Sequence, residues 1–195
     1  MRCCEYKRKT AETEIRVELN LDGGGFYEID TGIGFFDHMM QTFTRHGLFD
    51  LNLFTIGDLH VDQHHTVEDI GLALGEAFRQ ALGEKRGINR CGSCAFPMDE
   101  TLAMVALDLS GRPYLVLNAP LKHSQIGDFE TGLVHDFFQG FVTTLGATLH
   151  IQVPYGRSEH HQVEAIFKAV ARALKSACEI DSRVGDRVPS TKEVL

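Results

Sequence analysis

Apolar and polar residues alternate along AETEIRVELNLDGGG (11–25) and again along DETLAMVALDLSGRP (99–113), and each run ends in a glycine turn. A period of two predicts a half-buried strand at both places. The period then lengthens. GFFDHMMQTF (34–43) and GLVHDFFQGF (132–141) carry Phe, Met and Leu at helical spacing. HHTVEDIGLALGEAFRQAL (64–82) and HHQVEAIFKAVARALKSAC (160–178) read as amphipathic helices rich in Ala and Leu. Between the helices, FDLNLFTIG (49–57) and GATLHIQVPYG (146–156) read as further strands.

The same elements therefore recur in the same order: strands, helix, strand, helix, twice. Three segments matching in sequence point to a duplicated unit. The polar GEKRGINR (83–90) marks the boundary, giving a first half over 1–87, a second over 88–180 and a tail over 181–195. The tail, IDSRVGDRVPSTKEVL from Ile180, lacks periodicity, and its PSTK sets hydroxyls beside a lysine, a combination suited to an anion.

Composition changes this picture little. A chain of 195 residues with 43% hydrophobic and 24% charged residues suits one compact α+β domain built of two halves. No run approaches the ~20 apolar residues of a membrane span. The N-terminus lacks the apolar core of a secretion signal and carries acidic residues, so the cytoplasm is the expected compartment. Five irregularly spaced cysteines argue against a disulfide framework. The CGSC at 91–94 has no second pair to complete a zinc site, so its cysteines read as incidental. A net charge of −8, without a basic run interleaved with aromatics, disfavours nucleic acid.

The chemistry concentrates in His-His-x-x-Glu, which occurs as His64, His65, Glu68 and as His160, His161, Glu164. Residues three and four apart share a helix face, so each glutamate lies near both of its histidines. Adjacent histidines point about 100° apart around the axis and more naturally serve two different ions. Two such helices facing each other would build two sites with ligands from both halves. The repeat alignment supplies one further ligand to each. His38 in FDHMM falls opposite Asp136 in VHDFF, with His135 as the rival should the alignment slip by one. Imidazole and carboxylate without thiolate suit Mn, Fe, Zn or Ni.

Arg90, Arg112, Lys168 and Lys192 are scattered cations that could clamp a phosphate. Lys168 lies four after Glu164, on the metal-facing stripe. His46, four before Asp50, suits a polar lining; His60, His123 and His150 read as loop or strand residues rather than ligands.

Together, FFDHM, DQHHTVEDIG, MDETLA, DLSGRPYL, HHQVEAIFKAVARAL and VPSTK resemble the imidazoleglycerol-phosphate dehydratase family nearly end to end. The resemblance implies two copies of a two-layer, ribosomal-protein-domain-like unit with helices on one face of each sheet. It also implies two Mn(II) ions per active site and a homo-24-mer with active sites shared between subunits. The implied reaction is dehydration of imidazole glycerol phosphate to imidazole acetol phosphate in histidine biosynthesis. Carried over by position, the ligands are His38, His64, His65, Glu68, His160, His161 and Glu164, with Asp136 where the family often has His. Phosphate contacts fall on Arg90, Arg112, Lys168 and Lys192 with Ser190 nearby, His46 joins the substrate lining, and the acid/base glutamate falls on Glu12. Gln63 stands where an acid commonly precedes the histidine pair, which would weaken a hydrogen bond orienting an imidazole.

The mechanism expected from that resemblance holds the ring as a metal-bound imidazolate, whose electrons expel the adjacent hydroxyl while Glu12 takes the proton from the next carbon. From the ligand set alone, a dinuclear hydrolase or a metal-buffering shell are the alternatives.

Overall fold

The computed structural model describes residues 2–122 and 124–192, so His123 and Glu193–Leu195 lie outside it. The first half runs β1 (Cys3–Lys9), β2 (Thr13–Asn20), β3 (Tyr27–Asp30), α1 (Gly34–Gly47), β4 (Asp50–Gly57) and α2 (His64–Leu82). The second repeats it as β5 (Cys91–Met98), β6 (Thr101–Asp108), β7 (Tyr114–Asn118), α3 (Leu133–Leu145), β10 (Thr148–Tyr155) and α4 (Glu159–Cys178). A short hairpin of β8 (Gln125–Ile126) and β9 (Phe129–Glu130) is inserted before α3.

The two four-stranded sheets have the same topology. Their orders are β1-β2-β4-β3 and β5-β6-β10-β7, each with two antiparallel pairings and one parallel edge strand. In β2 the alternation buries Thr13, Ile15, Val17 and Leu19, and in β6 it buries Thr101, Ala103, Val105 and Leu107. These inward rows meet helices, α2 over the first sheet and α4 over the second. The result is a duplicated α+β fold.

The helices join the halves. α2 packs on α3 and α4 on α1, so the two motif helices do not face each other as the sequence suggested. Instead each pairs with the shorter helix of the opposite half. Phe36, Phe43, Phe78, Phe137, Phe141 and Phe167 fill the layer between, each almost wholly buried and each contributing about 1.5–3 kcal/mol. At α2 and α3 the backbones come very close. A Cβ on Gly71 would lie 2.3 Å from the Phe137 carbonyl oxygen, and one on Gly140 would lie 2.8 Å from that of Glu68.

Several strands went unseen in the sequence. β5 contains the CGSC, and residues three apart on a strand face opposite ways. Cys91 is accordingly exposed and Cys94 half-buried, so the two cannot close one site. The described part of the tail is tied down rather than frayed. Asp181 donates its N–H to Gly87, and Gly87 donates to Arg187.

Candidate metal centre and active site

Every ligand predicted on the helices lies at or near the start of its helix, and the helix pairing gathers six of the eight into two groups of three. In the first, His38 comes from α1, and His160 and Glu164 from the first turns of α4. His160 Nε2 lies 3.1 Å from Glu164 Oε2 and His38 Nε2 lies 3.9 Å from the same oxygen. One ligand atom from each of the three falls within 4.8 Å of the others. Lys168 Nζ donates to the second oxygen of Glu164 at 2.8 Å. Burial pushes the Glu164 pKa up, but the Lys168 hydrogen bond and the charges of Lys168, His38 and His160 outweigh it and hold it below its ordinary value. The edge of Phe35 packs on the His160 ring at 5.1 Å and fixes its plane.

The second group occupies the equivalent positions on α2 and α3 but is looser, its two carboxylates approaching opposite ring nitrogens of one histidine. His64 Nε2 lies 3.8 Å from Glu68, and its Nδ1 lies 3.4 Å from Asp136 Oδ2. His135, the rival for the eighth position, sits 3.6 Å from the other oxygen of Asp136. His64, His135 and Asp136 line a cavity of about 620 Å³ with Asp62, Asp128 and Glu130. Gln63 does not orient an imidazole here; its amide donates to the Asp128 carbonyl at 2.7 Å, tying α2 to the inserted hairpin. Each triad thus draws ligands from both halves, through helix partners the sequence did not identify.

The second histidine of each motif turns away. The rings of His64 and His65 are inclined at 76°, and those of His160 and His161 at 85°. His65 Nδ1 contacts Asp58 Oδ2 at 3.0 Å, and this hydrogen bond raises its pKa above the ordinary value. His161 Nδ1 contacts Glu100 Oε2 at 2.7 Å. That contact, together with the Ser158 N–H, draws the Glu100 pKa down to about 2.

Glu12 stands at the β1–β2 turn with its Oε2 3.8 Å from His65 Nδ1 and its side chain half exposed. The turn is held from beneath. Thr10 Oγ1 accepts the N–H groups of Glu12 and Thr13 at 3.1 and 3.0 Å, and the Thr13 hydroxyl donates to buried Asp69 of α2. Arg8 completes the network with two hydrogen bonds to Asp69. Sequence reasoning passed over Asp58, Asp69 and Glu100. Glu100 alone carried a signal, its alignment with Glu12.

Only some of the candidate phosphate residues meet within one chain: Arg90 and Ser190 share a cavity, and the Lys192 N–H donates to Ser190 Oγ at 3.2 Å. Arg90 is bidentate to Asp108 at 2.7 and 2.9 Å and donates to the Pro189 carbonyl, lining a cavity of about 730 Å³ with Arg86, Arg187 and Ser190. Arg112 follows the turn after β6, with its guanidinium 3.4 Å from the Ser110 carbonyl, and Lys192 is exposed in the tail. Among the described residues, no hydrogen bond or ion pair links Arg90, Arg112, Ser190 or Lys192 to the histidine clusters. Lys168 is the exception, sitting on Glu164 and over the Phe96 ring at 5.5 Å. His46 packs its edge on that ring at 5.4 Å, and burial, then Lys168 and Arg172, push its pKa down.

Imidazole and carboxylate oxygens converging on open positions suit a divalent ion of the Mn-to-Zn series. Comparison with known proteins agrees with this chemistry. The family model for Imidazoleglycerol-phosphate dehydratase (IGPD) matches residues 31–174. Relatives of that name from Koribacter versatilis and Caldanaerobacter subterraneus subsp. tengcongensis are 57% and 54% identical over 195 residues, covering all of both chains in each case. The crystal structure of the Staphylococcus aureus enzyme is 38% identical, with a TM-score of 0.82 over 91% of this chain and 100% of that one. Pyrococcus furiosus IGPD, solved in complex with (S)-C348, is also 38% identical, with a TM-score of 0.84 over 97% of this chain and 99% of that one. The chain therefore belongs to the imidazoleglycerol-phosphate dehydratase family and is an enzyme of the hydro-lyase class.

Proposed function

We propose that this enzyme removes water from D-erythro-imidazole glycerol phosphate to give imidazole acetol phosphate, a step of histidine biosynthesis, with two Mn(II) ions in each active site. The observation that carries the reading is the convergent triad of His38, His160 and Glu164, with His64, Glu68 and Asp136 gathered at the equivalent positions of the other helix pair. One ion would be held by His38, His160 and Glu164, the other by His64, Glu68 and Asp136, with His65 and His161 as the remaining ligands. Mn(II) held by these residues would supply positive charge that makes the substrate's imidazole more acidic.

The chain's own residues perform the rest. Glu12, on its braced turn beside His65, accepts the proton from the carbon next to the one that loses hydroxide. The enol that remains tautomerises to the ketone. Arg90, Arg112, Lys168, Ser190 and Lys192 hold the phosphate, and His46 lines the pocket. Binding energy from that remote group orients the reacting carbons. Because Arg90, Arg112 and Lys192 have no hydrogen bond or ion pair to the histidine clusters among the described residues, the site would be completed by neighbouring subunits of a homo-24-mer. The tail over 181–195 is part of it.

The test is dehydration of imidazole glycerol phosphate by chelator-stripped protein with and without Mn(II). Activity that returns with Mn(II) supports the reading. Absence of activity with two ions bound per chain would favour a dinuclear hydrolase instead.

A further inference from the structure

The duplication places a glutamate at the start of β2 and of β6, Glu12 and Glu100, each followed by a buried threonine. The two have diverged in use. Glu100 has both carboxylate oxygens engaged: Oε2 with His161 Nδ1 at 2.7 Å, and Oε1 with the N–H groups of Ser158 at 2.8 Å and Arg157 at 3.2 Å. Glu12 makes no such pairing. Its histidine, His65, is taken by Asp58 at 3.0 Å, and the nearest Glu12 oxygen stands back at 3.8 Å.

The strand ends explain the difference. The first half leaves β4 through Gly57 into Asp58, whereas the second leaves β10 through Gly156 into Arg157. With no carboxylate at that point in the second half, the glutamate before β6 reaches across to the histidine instead. Asp58 is also tied to the site by its N–H, which donates to the Glu12 carbonyl at 3.1 Å.

A carboxylate accepts hydrogen bonds and does not donate them, so each of these contacts requires the proton on Nδ1 and leaves Nε2 with a free lone pair. We infer that Asp58 and Glu100 are positioning residues that fix His65 and His161 as Nδ1–H tautomers with Nε2 aimed outward as the metal-binding atom, and that Asp58, by taking this role in the first half, leaves Glu12 free to act as the base. The inference rests on the proposed ligand roles of His65 and His161. The competing arrangement has Glu100 itself as a ligand, since Asp99, Glu100 and His161 lie close enough to hold an ion. The full engagement of both Glu100 oxygens opposes it.

The decisive variant is Glu100→Gln. Its carbonyl can still accept from Ser158 and Arg157, preserving the entry to α4, but its amide then donates to Nδ1 and forces the proton onto Nε2. Titration of the chelator-stripped full chain with Mn(II), reading free Mn(II) by EPR, should show one of two ions bound 10- to 100-fold more weakly. The melting temperature of the stripped protein should be unchanged. Asp58→Asn should do the same to the ion served by His65, and decides the matter alone should Glu100→Gln not fold. His161→Ala separates the two layers of the argument. If His161→Ala loses an ion while Glu100→Gln binds both with wild-type affinity, the positioning role is overturned. If His161→Ala keeps both ions, its ligand role fails and takes the inference about Glu100 with it. A loaded structure with the ion on a Glu100 oxygen would also overturn it.

Discussion

The two histidine clusters occupy equivalent positions in the two halves but differ in geometry: His38, His160 and Glu164 converge, whereas Glu68 and Asp136 approach opposite nitrogens of His64. At α2 and α3 glycines let backbone meet backbone: Gly71 lies under the Phe137 carbonyl, Gly75 under that of Phe141, and Gly140 under that of Glu68. Where α2 has Gly71, the repeat alignment gives α4 Phe167, whose buried ring packs on Phe36 at 6.3 Å and on Phe137 at 5.4 Å. A short side chain suffices across the close pair, and there the third residue of the cluster is Asp136, 3.4 Å from His64. Across the pair filled by a phenyl ring the third residue is the longer His38. The triads differ in charge as well. One carries a single carboxylate neutralised by Lys168, and the other carries two, with no lysine at the position equivalent to Lys168. Duplication preserved the constellation while core packing set the length of its variable member.

The comparison can be broken most severely at the diverged glutamates. Glu12→Gln should keep metal and substrate binding yet lower kcat by about 10²- to 10⁴-fold, the usual worth of a positioned base. Near-normal turnover would remove Glu12 from that role. His64→Ala should release the ion of the open triad and leave the one at His38, His160 and Glu164, readable as one Mn per chain instead of two. Retention of both would refute its ligand role. Gly71→Ala asks whether close helix approach matters. The added methyl must push against the Phe137 carbonyl and should cost about 1–3 kcal/mol in thermal unfolding, with weaker binding at the Asp136 triad. An unchanged melting temperature would show the helices free to separate. Arg112→Ala should mainly raise KM, because it removes remote binding energy and not chemistry. Asp136→His, which makes the second triad resemble the first, should keep two ions and shift preference towards nitrogen-favouring metals such as Zn or Ni. Unaltered Mn-against-Zn selectivity would mean that the carboxylate count is immaterial.

Acid should act on both triads together. Ligation needs neutral imidazole, so metal occupancy should fall on acidification. A flat acid limb of metal occupancy would contradict histidine ligation.

The legible parts of the molecule were those governed by local periodicity. The helices of both halves, the strands β2, β4, β6 and β10, and the pairing of His38 with Asp136 all follow from a repeated pattern read along the chain. The edge strands β1 and β5 were missed because their burial alternates only between exposed and half-buried, so they lack a clear apolar row. Helix partnership was missed for a different reason. Amphipathicity shows that α2 and α4 each have a buried face but not what lies against it, and the deciding features, Gly71 against Phe167, act only in three dimensions. Asp58 is one acid among many in the sequence and becomes special only where the end of β4 meets the start of α2. Arg90 illustrates the reverse case, since its bidentate partner Asp108 lies across a strand pairing that no spacing rule would reveal.

The central claim, that the duplicated motif builds two ion sites of matching design, is tested most directly by anomalous diffraction from Mn-loaded crystals. The account predicts two peaks per chain, one against His38, His160 and Glu164 and one against His64, Glu68 and Asp136, with the Nε2 of His65 and of His161 each completing a coordination sphere. A single peak, or an ion seated on Asp99 and Glu100, would contradict it.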